Sequence, residues 1–514
     1  MNNILVYSGS CSTEDLQAVR ELLISCLAGV RVDVKGFRRK EENGSFDPFA
    51  WDMAGYDGLI QVEDRGNDGL EGSWIATEKK VTVKLSGSEC QAVRDLPSVG
   101  REKTEKIVIK HLIQSLLKEV LGMEVPWGSL TGMRPTKLLH RMINQGINEK
   151  ERDQILSGRY HVREDKVVLL ERVGRIQNPI LEKMKANPQQ TAVYVGIPFC
   201  PSHCSYCTFP GYIPDQERSE VKIYLKALAL EIAAVGQMMK ELGLTVGNLY
   251  LGGGTPTVLN GQELETLITQ IKENLPMDKE REFTVEGGRP DTLKEETLSC
   301  LKDQGVNRIS INPQTMNEKT LVRIGRAHHV DEVVEAFRRA REMHDWIINA
   351  DIILGLPGEE VADVQNTLEA MTDLHPDNLT IHALAIKRGS REWEEGLTSD
   401  LTDRIEKMQK AAVRQAESWG MVPYYLYRQR KIAGNLENIG FALPGKESRY
   451  NIAIMEEWQH VFGLGAGAAS KIISAQAGAL ENMQHPSYWK SYLEGWTKVH
   501  DRRRKILDKQ VRPC

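Results

Sequence analysis

The stretch Tyr194–Tyr212, YVGIPFCPSHCSYCTFPGY, places Cys200, Cys204 and Cys207 on a loop directly after a β-rich run. Thiolates are soft ligands suited to zinc or to iron–sulfur clusters. A structural zinc site normally takes four ligands, and the candidates for a fourth are His203 inside the loop or a distant residue such as Cys300. A cubane of four irons accounts for the count differently, with three irons ligated and the fourth left open for a small molecule. On the residues alone both readings stand. The remaining cysteines (Cys11, Cys26, Cys90, Cys300 and Cys514) are scattered. That is unlike a secreted disulfide framework, and a reduced, cytoplasmic setting is expected.

Around this loop, residues 190–380 alternate β-rich runs with helical patterns. The runs are AVYVGIPF, NLYLGGG, FTVEGG, RISINPQ, INADIILGLPG and NLTIHALAI, and between them lie helices such as SEVKIYLKALALEIAAVGQMMKEL. Such repetition predicts a parallel sheet, doubly wound or curved into a barrel, with reactive groups at the C-terminal strand ends. Cys200, Gly252–Gly254, Glu286 and Gln314 fall at or near such ends. The chain length of 514 residues predicts roughly three domains. We place an N-terminal α/β domain at 1–165, the strand–helix array at 190–380, and a C-terminal region covering the substrate at 381–514. The first of these has strands in NILVYSG, VRVDVKGF and KKVTVKLSG, and a helix in EKIVIKHLIQSLLKEVLG that ends at Gly122.

The net charge of −5 is spread over mixed charges, which argues against a nucleic-acid partner. No 18-residue apolar run predicts a membrane span, and the first residues do not read as a signal peptide. GLGAGA (463–468) mimics a dinucleotide fingerprint, with Glu481 at a suitable distance, but no βαβ unit is expected after it. The adjacent His328 and His329 are expected at the surface.

The motifs taken in order resemble the radical S-adenosylmethionine superfamily. They are closest to its oxygen-independent coproporphyrinogen III oxidase (coproporphyrinogen dehydrogenase) family, HemZ-like subgroup. YVGIPFC, LYLGGGTPT, FTVEGGRPDTL, GVNRISINPQTM, IGRAHH and NADIILGLPGE carry the likeness over about 280 residues, and GSLTGMRPTK and NLENIGFALPG carry the subgroup. The resemblance implies a partial parallel (β/α)6 TIM-like barrel. It also implies a [4Fe-4S] cluster on Cys200, Cys204 and Cys207, with S-adenosyl-L-methionine chelated at the open iron. Cofactor contacts are implied for Tyr194, Tyr206, Gly253, Gly254, Thr255, Glu286, Gln314, Arg326, Asp351 and Ala385. Among these, Gly253–Thr255 suit the methionine amine, Glu286 and Asp351 the ribose or amine, and Arg326 the carboxylate.

The implied reaction is oxidative decarboxylation of coproporphyrinogen III to protoporphyrinogen IX in heme biosynthesis, with an electron donor such as flavodoxin or ferredoxin. Four propionates call for cations beside aromatic walls, and Arg388, Arg428 and Arg430 are the candidates. Two departures are visible: Gly196 stands where the family has histidine, and Phe209 where it has a fourth cysteine. The related heme chaperones also lack that cysteine, and a third group opens the heme macrocycle; both are alternative functions.

Overall fold

The computed structural model describes the backbone of residues 3–8, 31–36, 58–65, 78–85 and 88–95, and residues 125–130, 132, 134–207, 209–326, 328–384, 399–429, 436–473 and 480–511. They form two compact units. One comprises residues 1–171, 383–406 and 428–437; the other comprises 172–382, 407–427 and 438–514. The helix expected over 105–122 lies outside the described residues.

In the first unit, β1 (Asn3–Ser8), β2 (Arg31–Gly36), β3 (Gly58–Arg65), β4 (Glu78–Leu85) and β5 (Ser88–Asp95) form a sheet in the order β2-β1-β3-β4-β5. β1 pairs parallel with β2 and β3, whereas β3, β4 and β5 pair antiparallel. The sequence pattern shows β1, β2 and β4. It conceals β3 and β5, whose GLIQVEDR and SECQAVRD are too charged to read as strands.

The second unit is built on an eleven-stranded sheet. Its strands are β6 (Gln190–Ile197), β7 (Thr245–Gly253), β8 (Met277–Glu286), β9 (Arg308–Ser310), β10 (Ile347–Leu354), β11 (Asn378–Ala383), β12 (Val422–Tyr427), β13 (Asn438–Ala442), β14 (Val461–Leu464), β15 (Ala469–Ile473) and β16 (Leu480–Gln484). They lie in the order β12-β13-β11-β10-β9-β8-β7-β6-β14-β15-β16. From β14 through β6 to β10 every pairing is parallel. Antiparallel strands flank this run: β13 and β12 beyond β11, β15 and β16 beyond β14. The protein is thus mixed α/β with a largely parallel sheet, as its strand–helix alternation predicts.

Strand periodicity sorts the side chains. One face of β6, β7, β8 and β10 carries Val193, Val195, Ile197, Leu249, Leu251, Phe283, Val285, Ile348, Ile352 and Leu354, all buried. The other carries Tyr194, Gly196, Asn248, Tyr250, Gly252, Glu282, Thr284, Glu286, Asn349 and Asp351. This second face is therefore polar and tyrosine-rich, and it ends at the groups expected to do chemistry. Helices cover the apolar strands through helical stripes of their own. In Ser219–Glu241, Val221, Tyr224, Leu228, Ile232, Val235 and Met239 recur at that spacing and are buried. Asn260 starts the helix Gly261–Asn274 with a reciprocal capping box: its carboxamide accepts from the Glu263 amide at 2.9 Å, and Glu263 accepts from the Asn260 amide at 3.0 Å.

GLGAGA has a different role from the one its glycines mimic. β14 and β15 form an antiparallel hairpin, turned by Gly465 at φ +88° and Gly467 at φ +74°. A dinucleotide fingerprint requires a strand, a turn and then a helix, so that reading fails here. Instead β14 runs parallel beside β6, with Gly463 opposite Tyr194 and Leu464 opposite Val195.

Candidate cluster and cofactor site

The cysteine loop leaves β6 through Pro198 and is clasped at its base. The Cys200 amide donates to the Tyr212 carbonyl at 3.0 Å, and the Tyr212 amide to the Pro198 carbonyl at 2.8 Å. At its far end the Ser205 amide donates to the Ile324 carbonyl at 3.0 Å, and the Cys207 amide closes a turn on the Cys204 carbonyl at 3.1 Å. Buried Arg289 reaches the loop from β8's end: Nη1 donates to Ser202 Oγ at 2.6 Å, while Nε holds Asp291 at 3.0 Å. Cys200 is half-buried and Cys207 exposed. Burial pushes the Cys200 thiol up, against the hydrogen bond from Thr255 Oγ1 at 3.5 Å and the nearby Arg289 charge.

Small residues make room for that sulfur. A Cβ at Gly254 would fall 2.5 Å from the Phe199 carbonyl oxygen and 2.8 Å from Cys200 Sγ, and one at Gly211 would lie 3.0 Å from the same sulfur. Among the described residues no three Cys, His, Asp or Glu side chains converge as a closed metal-ligand set. Cys300, the distant zinc candidate, lies instead among Glu265, Asp303 and Glu296, with its thiol on the Gly261 carbonyl at 3.8 Å.

Beside the loop, Glu286 ends β8, Gln314 follows β9, Asp351 lies within β10 and Arg326 follows the helix Glu318–Arg323. Glu286, at the end of β8, accepts from Tyr250 Oη at 2.5 Å and from the Gly253 amide at 3.2 Å. Its burial, opposed by these donors and reinforced by Asp351, raises its carboxyl to about 7. Tyr194 stacks on Tyr250 at 5.9 Å between ring centroids, and Tyr450 on Tyr250 at 4.4 Å.

Gln314, whose backbone pairs with Ile352, stands at φ +65°, a left-handed conformation costly for a residue with a side chain. Its buried Oε1 has no partner among the described residues. Backbone strain and an unmet acceptor together make Gln314 a candidate to meet a ligand. Buried Arg326 donates to the Gly288 carbonyl at 2.7 Å and to Tyr206 Oη at 3.3 Å, with Nε left unmet. Asp351 lies 3.7 Å from His382 Nε2, and His382 Nδ1 is 3.3 Å from Tyr427 Oη.

Sequence reasoning did not single out Tyr250 or Arg289 within the motifs LYLGGGTPT and FTVEGGRPDTL, nor His382 within NLTIHALAI, and it passed over Tyr427 and Tyr450. It also placed both histidines at the surface. His329 is exposed and bonded to Glu318 at 3.2 Å, but His328 is buried, and burial pushes its imidazole down to about 4. Ala385, Arg388 and Arg430 lie outside the described residues. Arg428 is only 4% exposed; its guanidinium donates to the Leu130 carbonyl and lies 5.8 Å from the Trp127 ring centroid. Trp127 Nε1 in turn donates to fully buried Glu437 at 2.6 Å, beside Lys166 Nζ at 2.7 Å.

The chain is similar to several known proteins. The radical SAM superfamily profile matches residues 194–371. The oxygen-independent coproporphyrinogen-III oxidase-like protein HemZ of Bacillus subtilis is 39% identical over 409 residues, covering 79% of this chain and 82% of HemZ. The heme chaperone HemW of Lactococcus lactis is 29% identical over 298 residues, covering 57% of this chain and 73% of HemW. Among solved structures, Escherichia coli coproporphyrinogen III oxidase (HemN), a radical SAM enzyme, matches at 21% identity and a TM-score of 0.49, over 63% of this chain and 73% of HemN. The chain belongs to the HemZ-like family of radical SAM proteins.

That family uses a [4Fe-4S] cluster and S-adenosylmethionine. The residues present fit both groups. Three thiols on one loop suit a cluster with an open iron, and the unmet Gln314 Oε1 and Arg326 Nε suit a polar ligand beside it. Among the described residues no helix is long and apolar enough to cross a membrane.

Arg289 gives a first prediction. Arg289→Gln removes the fork that ties Ser202 to Asp291, one of the side-chain ties that hold the cysteine loop. Iron retention against a chelator is expected to fall by about tenfold, as when groups supporting metal ligands are lost, with a lowered melting transition reporting the loss of the buried guanidinium that held Asp291. Retention equal to wild type would show that the loop needs no such tie.

Proposed function

We propose that the protein is an oxidoreductase of porphyrin biosynthesis that decarboxylates two propionates of coproporphyrinogen III to vinyl groups without oxygen. The observation that carries this reading is the convergence of the cysteine loop with Glu286, Gln314, Arg326 and Asp351 at one end of the parallel strands. The 39% identity to an oxidase-like relative supports the substrate class. A protein electron donor and a reducing cytoplasm fit the cysteine usage.

In this reading Cys200, Cys204 and Cys207 hold the cluster. Gly253–Thr255 offer backbone groups at a place where Cβ atoms would intrude. Glu286 receives the methionine amine, Arg326 grips the carboxylate, and Gln314 and Asp351 meet the remaining polar groups. Bound there, cluster and S-adenosylmethionine supply hydrogen abstraction from an unactivated carbon. The protein's part is to orient and to exclude water; the stacked Tyr194, Tyr250 and Tyr450 wall the space beneath Glu286. Among the substrate arginines, Arg388 and Arg430 remain the proposed propionate ligands, since the Arg428 guanidinium is engaged with Leu130 and Trp127.

A second reading, a heme chaperone, is favoured by one feature. Phe209, 65% exposed, stands where the oxidases carry their fourth cysteine. The experiment is anaerobic: reconstituted, reduced protein is given S-adenosylmethionine and coproporphyrinogen III, and vinyl product and 5′-deoxyadenosine are quantified. Vinyl product supports the oxidase. Deoxyadenosine without it rejects this substrate, and stable heme binding with neither product selects the chaperone.

A further inference from the structure

We propose that Tyr250 is a positioning residue that holds the Glu286 carboxylate in one orientation and keeps it ionised for the S-adenosylmethionine amine. This rests on the reading above in which Glu286 is the amine's partner. The geometry is specific. Tyr250 sits two residues before the glycine run on β7, and its hydroxyl donates to Glu286 Oε1 at 2.5 Å across the strand pair. The Gly253 amide occupies Oε2 at 3.2 Å, so each oxygen has one protein donor.

The Tyr250 ring packs against Tyr194, at 5.9 Å and 18°, and Tyr450, at 4.4 Å and 23°, and these two rings lie 6.3 Å from each other, so the three tyrosines form one mutually packed cluster. A Cβ at Gly252 would lie 2.8 Å from the Tyr250 ring, 2.9 Å from Glu286 Oε2 and 3.0 Å from the Tyr194 ring, so position 252 must be glycine for the phenol and the carboxylate to meet. The titratable groups facing Glu286 are Tyr250 from β7, Tyr194 from β6, Tyr450 from the helix Arg449–Glu456, and Asp351 from β10. Of these only Tyr250 donates a hydrogen bond to it, and Asp351 opposes its ionisation. Burial has already carried Glu286 to about 7. Taking away a donor to the charged form moves it further up. Protonated, the carboxyl carries a hydroxyl in place of one acceptor and loses its charge, so it accepts the amine N–H groups more weakly.

The test is the dissociation constant of S-adenosylmethionine for the reconstituted protein, measured by equilibrium dialysis between pH 6 and pH 9. Tyr250→Phe keeps the ring stack and removes only the hydroxyl. It is expected to weaken binding roughly tenfold at neutral pH and to move the midpoint of the pH profile up by about one unit, with affinity recovering in alkali. A purely structural role would lower affinity equally at every pH. Tyr450→Phe, which also loses a buried hydroxyl but one without a partner among the described residues, is expected to leave the midpoint in place.

An unmoved midpoint in Tyr250→Phe overturns the proposal, as does the same shift in Tyr450→Phe. Glu286→Gln separates the two layers. If it binds like wild type, the assignment of Glu286 itself fails. If it binds weakly while Tyr250→Phe binds normally, only the inference about Tyr250 fails.

Discussion

Cys204→Ala is expected to give a folded, colourless protein without cluster iron or sulfide, unable to cleave S-adenosylmethionine. The residue lies on a loop whose base is closed by the Cys200–Tyr212 and Tyr212–Pro198 backbone bonds, so the loop keeps its path when one thiol is removed. The hydrophobic core does not pass through it, because the loop is half-buried or exposed along most of its length. Stability should therefore change little while the donor set falls from three to two. Losing an outer-shell partner of a metal typically costs 10–100-fold in affinity or activity, and loss of a ligand should exceed about 100-fold. Iron and sulfide analysis, visible absorption and deoxyadenosine formation check this together. Full iron content with activity intact would exclude a cluster on these thiols. Zinc without labile sulfide in the unsubstituted protein would point to a structural site.

The second large effect concerns stability and lies behind β14. Glu231, on the helix Ser219–Glu241, is fully buried. Its Oε2 accepts from the Gly465 amide at 3.0 Å and from Tyr492 Oη at 2.8 Å. Its Oε1 lies 2.9 Å from His485 Nε2 and 3.5 Å from Arg503 Nη2. Burial alone would raise this carboxyl, but His485, Arg503 and the Gly465 amide outweigh it and hold Glu231 below the ordinary carboxylate value of 4.5. A buried pair is no guarantee of stability compared with an apolar replacement, yet removing one partner strands the other charge at a cost of about 3–5 kcal/mol.

Glu231→Ala should therefore lower the unfolding free energy by about 3–5 kcal/mol, a large part of a typical ~5–15 kcal/mol total, seen as a lower denaturant midpoint. A paired Glu231→Ala/Arg503→Met replacement should lose less than Glu231→Ala alone. The sign with pH is fixed by the depressed value. The Glu231 contribution is present above 4.5 and lost as pH falls through the lower folded-state value, so the gap between wild type and variant narrows in acid. Equal losses for the single and double variants would show that Arg503 bears no stranded charge.

Much of the central array was legible because its signals are local. The cysteine spacing, the glycine run and Glu286 each sit at the end of an apolar run, where a parallel strand–helix repeat puts reactive groups. What escaped depends on long-range pairing. Tyr450 comes from a helix whose N-terminus is capped by Glu282 on β8, with Ser448 Oγ at 2.9 Å and the Tyr450 amide at 3.0 Å from Glu282 Oε1. No local pattern announces that meeting. GLGAGA was ambiguous because glycines serve a tight hairpin as well as a phosphate turn, and only the strand that follows tells them apart. Arg428 shows the same limit: a basic, aromatic stretch looks like an anion site until Trp127 and the Leu130 carbonyl are found against it.

The closeness of β14 to β6 constrains position 196. A Cβ at Gly196 would sit 2.9 Å from the Ala466 carbonyl oxygen, while the Gly196 carbonyl is already bonded to Tyr224 Oη at 2.5 Å. One at Gly465 would fall 2.5 Å from the Gly196 carbonyl oxygen, so the exclusion works in both directions. Histidine at 196 would require the hairpin beyond β14 to retreat. The two segments are sterically coupled: a side chain at either position requires the backbone of the other to move.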